Sequence, residues 1–343
     1  MKTSHAATAL PAKIYGLNPV LFILMLGTGV LSLVFAADLF AGMMGIYKSL
    51  VPEEIRVYVW AAKQFLLTPY PWGALAAGFL LEYVRPARLH RDRFLSALAQ
   101  DFLWFLTDAF ILFTLVPFWA GLLRIFYDHS LSFLTVPAAA TLPALVKVIL
   151  AFLIYDFLQW AHHWVRHKVP VFWNFHAVHH SQRTMNLFTD SRIHPVEHLI
   201  THSLMFIPMF AFQVNPFSVV AVSMFRRWYQ RIYHANLRTN FGPLRYILVT
   251  PQSHRIHHSI EERHRDRNFG VMFSVWDRLF GTHFPGENEY PETGVRGLRF
   301  SDGKKPGRGL IMGYLEQLVY PFYKLFDKAP SRILEKHEAA NAV

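Results

Sequence analysis

The property that most restricts this chain is a series of apolar runs long enough to need lipid around them. From Gly16 to Phe40 it reads GLNPVLFILMLGTGVLSLVFAADLF, and roughly 20 apolar residues suffice for a helix to cross a bilayer. Two lysines precede this run in MKTSHAATALPAKIYGLNPV. A cleavable signal would need a shorter core and a small-residue cleavage site, so the run reads as a retained first helix. Further runs extend from about Tyr70 to Val84, from about Asp101 to Leu123 with Pro117 inside, and from about Thr141 to Trp160. A fifth, Leu199 to Phe225, is interrupted by FQVNPFS. Asn215-Pro216 marks a turn there, so the stretch reads as a two-limbed hairpin dipping into the membrane. The chain is 53% hydrophobic and only 17% charged, against roughly 45–50% and 25% in soluble domains. The expected fold is all-α and integral to the membrane: about four transmembrane helices plus the hairpin, capped outside the bilayer by further helices.

Charge gives this arrangement a direction. The formal net charge is +11, which in an apolar chain points to an anionic membrane face rather than to nucleic acid. The loop RPARLHRDR sets Arg85, Arg88, Arg91 and Arg93 against Asp92, and Arg166, Lys168, Arg183 and Arg192 follow the fourth run. The alternate loops are nearly balanced: Lys48, Arg56 and Lys63 face Glu53 and Glu54, and Arg124 faces Asp128. The positive-inside rule then puts the N-terminus, the Arg85–Arg93 loop and everything after Trp160 in the cytoplasm, as expected for a bacterial inner-membrane protein.

The chain has no cysteine and 19 histidines. Thiolate ligands, disulfides and iron–sulfur clusters are excluded, so any metal must be held by imidazole or oxygen. His5, His90, His129 and His337 are isolated and carry no assignment. All the others lie between His162 and His283. His163 and His167 are spaced to share a helix face, with Asp156 on the same face as an expected acceptor for a ligating ring. His176, His179 and His180 form His-x-x-His-His, and His254, His257 and His258 repeat it. His194 precedes Pro195, with Glu197 as an expected orienting carboxylate or a partner for Arg192. His234 follows Gln230 by one turn. The expected ligands are therefore His163, His167, His176, His179, His180, His194, His234, His254, His257 and His258. His162 points off the shared face, His198 and His202 read as satisfied polar residues or as part of a substrate channel, and His264 reads as a solvated surface residue.

Imidazole suits iron, zinc and copper, and this many rings exceed what one ion needs. The residues alone leave three readings: a dinuclear iron enzyme attacking lipid C–H bonds, a metal transporter or store, and a zinc-dependent membrane hydrolase with Glu197 as base. A transport site belongs near the bilayer midplane, whereas these histidines lie past the expected helix ends.

The ordered set Asp156, His163-x-x-x-His167, His176-x-x-His179-His180, His194-Pro-x-Glu197, His234-x-Asn236 and His254-x-x-His257-His258 resembles the fatty acid hydroxylase / sterol desaturase superfamily. NFGVMFSVWDRLFGTH, Asn268 to His283, resembles the segment that closes that domain. The wording is nearest to bacterial sterol-desaturase-like and alkylglycerol monooxygenase-like members. The resemblance covers roughly Leu142 to His283. It implies a non-haem enzyme with two iron ions and O2 as co-substrate, hydroxylating or desaturating a membrane lipid such as a sterol, fatty acyl or ether lipid, with electrons from a separate reductase, ferredoxin or cytochrome. Three residues depart from the pattern. Gln230 stands where some members carry a further histidine, Trp164 stands where arginine is common, and His283 replaces an aromatic residue. The expected organisation is membrane helices in 1–140, the histidine domain in 141–285, and a peripheral segment with a tail in 286–343, including an amphipathic helix from Leu315 to Phe326 on the membrane surface.

Overall fold

In the computed structural model, residues 49, 51, 53–89, 94–286, 288–300 and 308–326 are described; the first apolar run lies outside them. Helices α1 (Glu53–Leu66) and α2 (Pro69–Val84) form a pair joined at Thr68, where Pro69 takes the first helical position, a site that needs no N–H. α2 is the second expected run, but its 16 residues rise only about 24 Å, short of a full crossing.

Helix α3 (Phe94–Phe110) passes through a π turn, Ile111–Leu115, into α4 (Val116–Phe126). Pro117 causes the π turn to be useful: Val116 N–H reaches back to Ile111 O, and the widened turn relieves the proline without breaking the rod. Helix α5 (Ala144–Lys168) follows. Two stretches among the described residues, Ser96–Leu134 and Ala144–Lys168, are long and apolar enough to cross a membrane, and their apolar windows are only 33% and 28% buried. A helix in a water-soluble core would be mostly buried. Leu145, Ile149, Leu150, Leu153 and Ile154 on α5 instead face outward, exposed on its surface.

The hairpin is present as α7 (Pro195–Ala211) and α8 (Pro216–His234). Asn215 closes it, its Oδ1 accepting from Ser218 N at 2.9 Å, an N-cap. α7 packs between α4 and α5 through Ile111, Ala120, Ala151, Met205, Phe206 and Met209. The polar cap consists of α6 (Pro170–His180), α9 (Pro251–His257), α10 (Val275–Leu279) and their connections; among the described residues it contains no strand, only isolated β-bridges. The last helix, α11 (Arg308–Leu325), packs on α3 and α6. Trp104 Nε1 donates to Gln317 Oε1 at 2.7 Å, while Ile311, Leu315 and Phe322 of this helix stay exposed.

Candidate metal centre

Helix α5 changes character along its length. Its first half presents exposed aliphatic residues; its last two turns turn His163 and His167 toward the cap. Short helices bring in the remaining rings. Pro170 starts α6, which carries His176, His179 and His180. Thr250 caps α9 in a reciprocal pair with Ser253, and Pro251 occupies its first position, so this single-purpose segment rigidly presents His254, His257 and His258.

These elements gather the rings into two groups. His163, His167, His176, His180 and His257 form one, and His179, His234, His254 and His258 form the other; within each group the candidate ligand nitrogens all lie within 4.8 Å of one another. Each His-x-x-His-His motif is divided between them. On α6, His176 and His180 serve the first group and His179 the second; on α9, His257 serves the first and His254 and His258 the second. The groups touch where His180 stacks on His258, ring centroids 4.2 Å apart. No Asp or Glu belongs to either.

The hydrogen bonds on the far sides of the rings decide what the near sides can bind. His163 Nδ1 lies 2.8 Å from Phe269 O, His257 Nδ1 2.8 Å from Arg267 O, and His176 Nδ1 3.0 Å from Glu197 Oε1. In the second group His179 Nδ1 faces Arg192 O at 3.2 Å and His234 Nδ1 faces Gln230 O at 2.8 Å. Carbonyl and carboxylate oxygens only accept, so these Nδ1 atoms carry the proton and the Nε2 atoms present lone pairs. Yet His163 Nε2 is 3.0 Å from His176 Nε2, and His179 Nε2 is 3.1 Å from His234 Nε2. Two lone pairs at that distance repel unless a cation lies between them. Nitrogens each about 2.1 Å from a shared ion, at roughly 90–110° to one another, are about 3.0–3.4 Å apart. The donor set therefore fits a metal ion in each group.

Burial reinforces this. The rings of His176, His179, His180, His254 and His258 are held well below the usual imidazole range, by loss of solvent first and by neighbouring rings second; His257 is lowered to about 4. They are neutral at pH 7, the state that ligates. Glu197 is pushed up by burial, against which Arg166 pulls it down, at 3.4 Å. Glu197 thus pairs with Arg166 rather than with Arg192, whose partner is Asp101.

Three expectations are corrected here, those for Asp156, His264 and His194. Asp156 does not touch His163. It accepts from Met272 N, Phe273 N and Trp276 Nε1 at 3.1, 3.2 and 2.8 Å, and so anchors the loop whose Phe269 O holds His163. Asp277 does the same from the other side, accepting from Phe269 N, Gly270 N and Trp160 Nε1. Gly270 is required in this loop, because a Cβ there would meet Phe273 O at 2.8 Å and Asp277 Oδ2 at 2.9 Å. The second correction is His264, which is buried, with Nδ1 2.9 Å from Ser259 Oγ and Nε2 3.3 Å from Glu289.

His194 stands outside both groups. It caps α7, its Nδ1 accepting from Val196 N at 3.3 Å, and its Nε2 faces Leu318 O at 3.1 Å. Both nitrogens are used, and the proton sits on Nε2, the reverse of the gathered rings. His162 accepts from Arg166 at 2.9 Å. His198 pairs with Asp108 at 3.1 Å, and His202 donates to His198 O at 2.7 Å. Gln230 stays out of the groups; its carbonyl holds His234 and its side chain accepts from Arg226 at 2.7 Å.

Residues the spacing did not single out complete the support. Asp101, fully buried in α3, accepts from Gln182, Asn186, Thr189 and Arg192. It thereby ties down the segment after α6 whose Arg192 O orients His179. Asp108, on the same helix, pairs with Arg227 and His198. The signal was available: an acid inside an apolar span is costly and rarely idle.

Two cavities adjoin at the centre. One, of about 40 Å³, is bounded by His163, His176, His179, His234 and His254 together with Gln159 and Tyr233. The other, of about 290 Å³, is lined by Leu112, Phe113, Met205, Phe206, Phe210 and Val219 among others. His202, Arg226 and Arg227 line both.

Residues 148–282 match the family model for fatty acid hydroxylase. Over 140 residues the chain is 38% identical to alkylglycerol monooxygenase of Homo sapiens, covering 40% of this chain and 31% of that protein. It is 28% identical over 207 residues to ornithine lipid hydroxylase OlsE of Rhizobium tropici, 58% of this chain and 59% of that one. A Delta(7)-sterol 5(6)-desaturase, ERG3A of Gibberella zeae, is 29% identical over 149 residues, 43% and 39% of the two chains. The chain thus spans less than two thirds of each of these relatives. No solved structure matches it. Paired histidine groups and sequence kinship fall on the same segment, residues 148–282, and there the chain is similar to the fatty acid hydroxylase family, with a monooxygenase, a lipid hydroxylase and a sterol desaturase among its relatives.

Proposed function

We propose that each histidine group holds one iron ion and that the protein is an O2-dependent hydroxylase of a membrane lipid. The observation that carries this is the pairing of inward Nε2 lone pairs, fixed by acceptors on Nδ1, with an apolar cavity that shares His202, Arg226 and Arg227 with the small cavity the rings border. Ligands are His163, His167, His176, His180 and His257 in one group and His179, His234, His254 and His258 in the other. Iron bound there supplies the redox chemistry that couples O2 reduction to oxidation of an unactivated C–H bond, which zinc does not.

The chain's own residues do the rest. Phe269 O, Arg267 O, Arg192 O, Gln230 O and Glu197 keep protons on Nδ1 and aim Nε2 inward, the role of outer-shell partners in metal sites. Aliphatic and aromatic walls take the lipid chain and exclude water. Known activities of the relatives, lipid hydroxylation and monooxygenation, favour oxygen insertion over desaturation. In this reading residues 1–140 anchor the protein, 141–285 form the oxidising domain, and 286–343 cover it. The protein crosses the membrane several times, with its N-terminus and histidines in the cytoplasm of a bacterial inner membrane, where a separate reductase, ferredoxin or cytochrome delivers electrons.

The test is to load the metal-free protein with iron or with zinc and profile lipids under ¹⁸O2. Iron-loaded protein should bind two ions per chain and yield an ¹⁸O-labelled lipid. Equal turnover with zinc, or turnover without O2, would show the reading to be wrong.

A further inference from the structure

The partition between the two cavities carries a charge imbalance. Four arginines bound the cavities: Arg226, Arg227 and Arg231, which are buried, and Arg166, which is largely so. Three have carboxylate partners. Arg166 pairs with Glu197, Arg227 with Asp108 and Asp190, and Arg231 with Asp190 at 3.4 Å. Arg226 has no carboxylate within 4 Å among the described residues, and the Asp156 carboxylate, committed to Met272 N, Phe273 N and Trp276 Nε1, acts on it only from farther away. Its Nη1 donates to Gln230 Oε1 at 2.7 Å, its guanidinium lies 5.7 Å from the centroid of the Tyr155 ring, and its buried Nε has no partner. The residue is 5% exposed. A guanidinium cannot shed its proton, and a buried charge without a counter-ion is strongly unfavourable.

We propose that the missing counter-ion is the head of the substrate: Arg226 binds the carboxylate or phosphate of an anionic lipid whose chain fills the 290 Å³ apolar cavity. This rests on the lipid-oxidising reading above and deepens it. His202, on the same partition, has its Nδ1 committed to His198 O, so its Nε2 offers only a lone pair and does not neutralise Arg226. Gln230 holds the guanidinium in place from one side and, through its backbone carbonyl, His234 from the other. The anion site and the second histidine group are thereby joined through one residue. With the chain in the apolar cavity and the anion at Arg226, the end of the lipid that faces the histidines is its polar end.

Binding can be read without turnover, which separates this proposal from the iron assignment. Trp228 lines the apolar cavity, so terminally brominated undecanoate, undecyl phosphate and undecanol should quench its fluorescence in the full chain in nanodiscs. The wild type should bind at least one anionic probe about 10- to 100-fold more tightly than the alcohol, the range of a charge-assisted contact. Which anion wins identifies a carboxylate or a phosphate head. Arg226→Gln should abolish the preference while the alcohol still binds, and Arg226→Lys should retain part of it. Equal binding of all three probes by the wild type, or an unchanged preference in Arg226→Gln, overturns the proposal. If Arg226→Gln does not insert, the wild-type ratio and Arg226→Lys decide: a preference that Arg226→Lys leaves at full strength also overturns it.

Discussion

The two histidine groups lie against each other and are built to different tolerances. The first has five rings, and three of them are locked by acceptors on Nδ1. The second has four, of which His179 and His234 are locked while the buried Nδ1 atoms of His254 and His258 have no partner. A tetrahedral ion needs about four ligands, so the first group has a ring to spare and the second has none. One site is preorganised and redundant; the other is minimal and freer to adjust.

This difference orders the expected effects. His254→Ala removes a ligand from the minimal group and should reduce iron from two per chain to one, with activity at background, by metal analysis and lipid assay. Two ions retained in that variant would break the comparison. Glu197→Gln comes next. It weakens the hold on His176 and leaves Arg166 buried without its countercharge, and should lower activity or metal affinity about 10- to 100-fold. His167→Ala should do less. His167 has no close acceptor, its Nδ1 reaching only Asp266 at 3.8 Å, and its loss leaves four rings; both ions should remain, with activity reduced by about 10-fold or less.

Acid should act on both groups together. The folded rings titrate below the unfolded value, with His257 at about 4 against 6.5. Between those values the unfolded chain binds more protons, so the stability of metal-free protein should fall as pH drops from 6.5 toward 4. Thermal melting against pH measures this, and a flat profile across that window would mean the rings are not buried neutral. At the other extreme, His129 is exposed and belongs to neither group, so His129→Ala should match wild type in activity and iron content.

The spacing of the histidines identified the rings but not how they divide. His-x-x-His-His looks like one local cluster, yet a helix places adjacent residues about 100° apart, so His179 and His180 face different groups. Only the relative placement of α5, α6, α8 and α9 reveals that assignment. His194 illustrates the limit from the other side. Its position before Pro195 suits a ligand and suits a helix cap equally, and the cap prevails because Val196 N and Leu318 O occupy both ring nitrogens. Asp156 was recognisable as important, but its partners lie more than a hundred positions downstream at Met272 and Phe273, beyond the reach of any local pattern.

Local chemistry, then, is what the linear order of residues determined: apolar runs that must be helical in lipid, a hairpin broken at Asn215-Pro216, an absence of thiolates, and imidazoles in quantity. These follow from each residue's own solvation and its neighbours within a turn or two. The tertiary structure alone decided the split into a five-ring and a four-ring group, the tautomer of the five rings held by acceptors on Nδ1, and the arginine on the cavity wall left without a close carboxylate. Those depend on which distant carbonyls, acids and side chains are packed against one another, and hydrogen bonds across a hundred residues leave no periodicity to read.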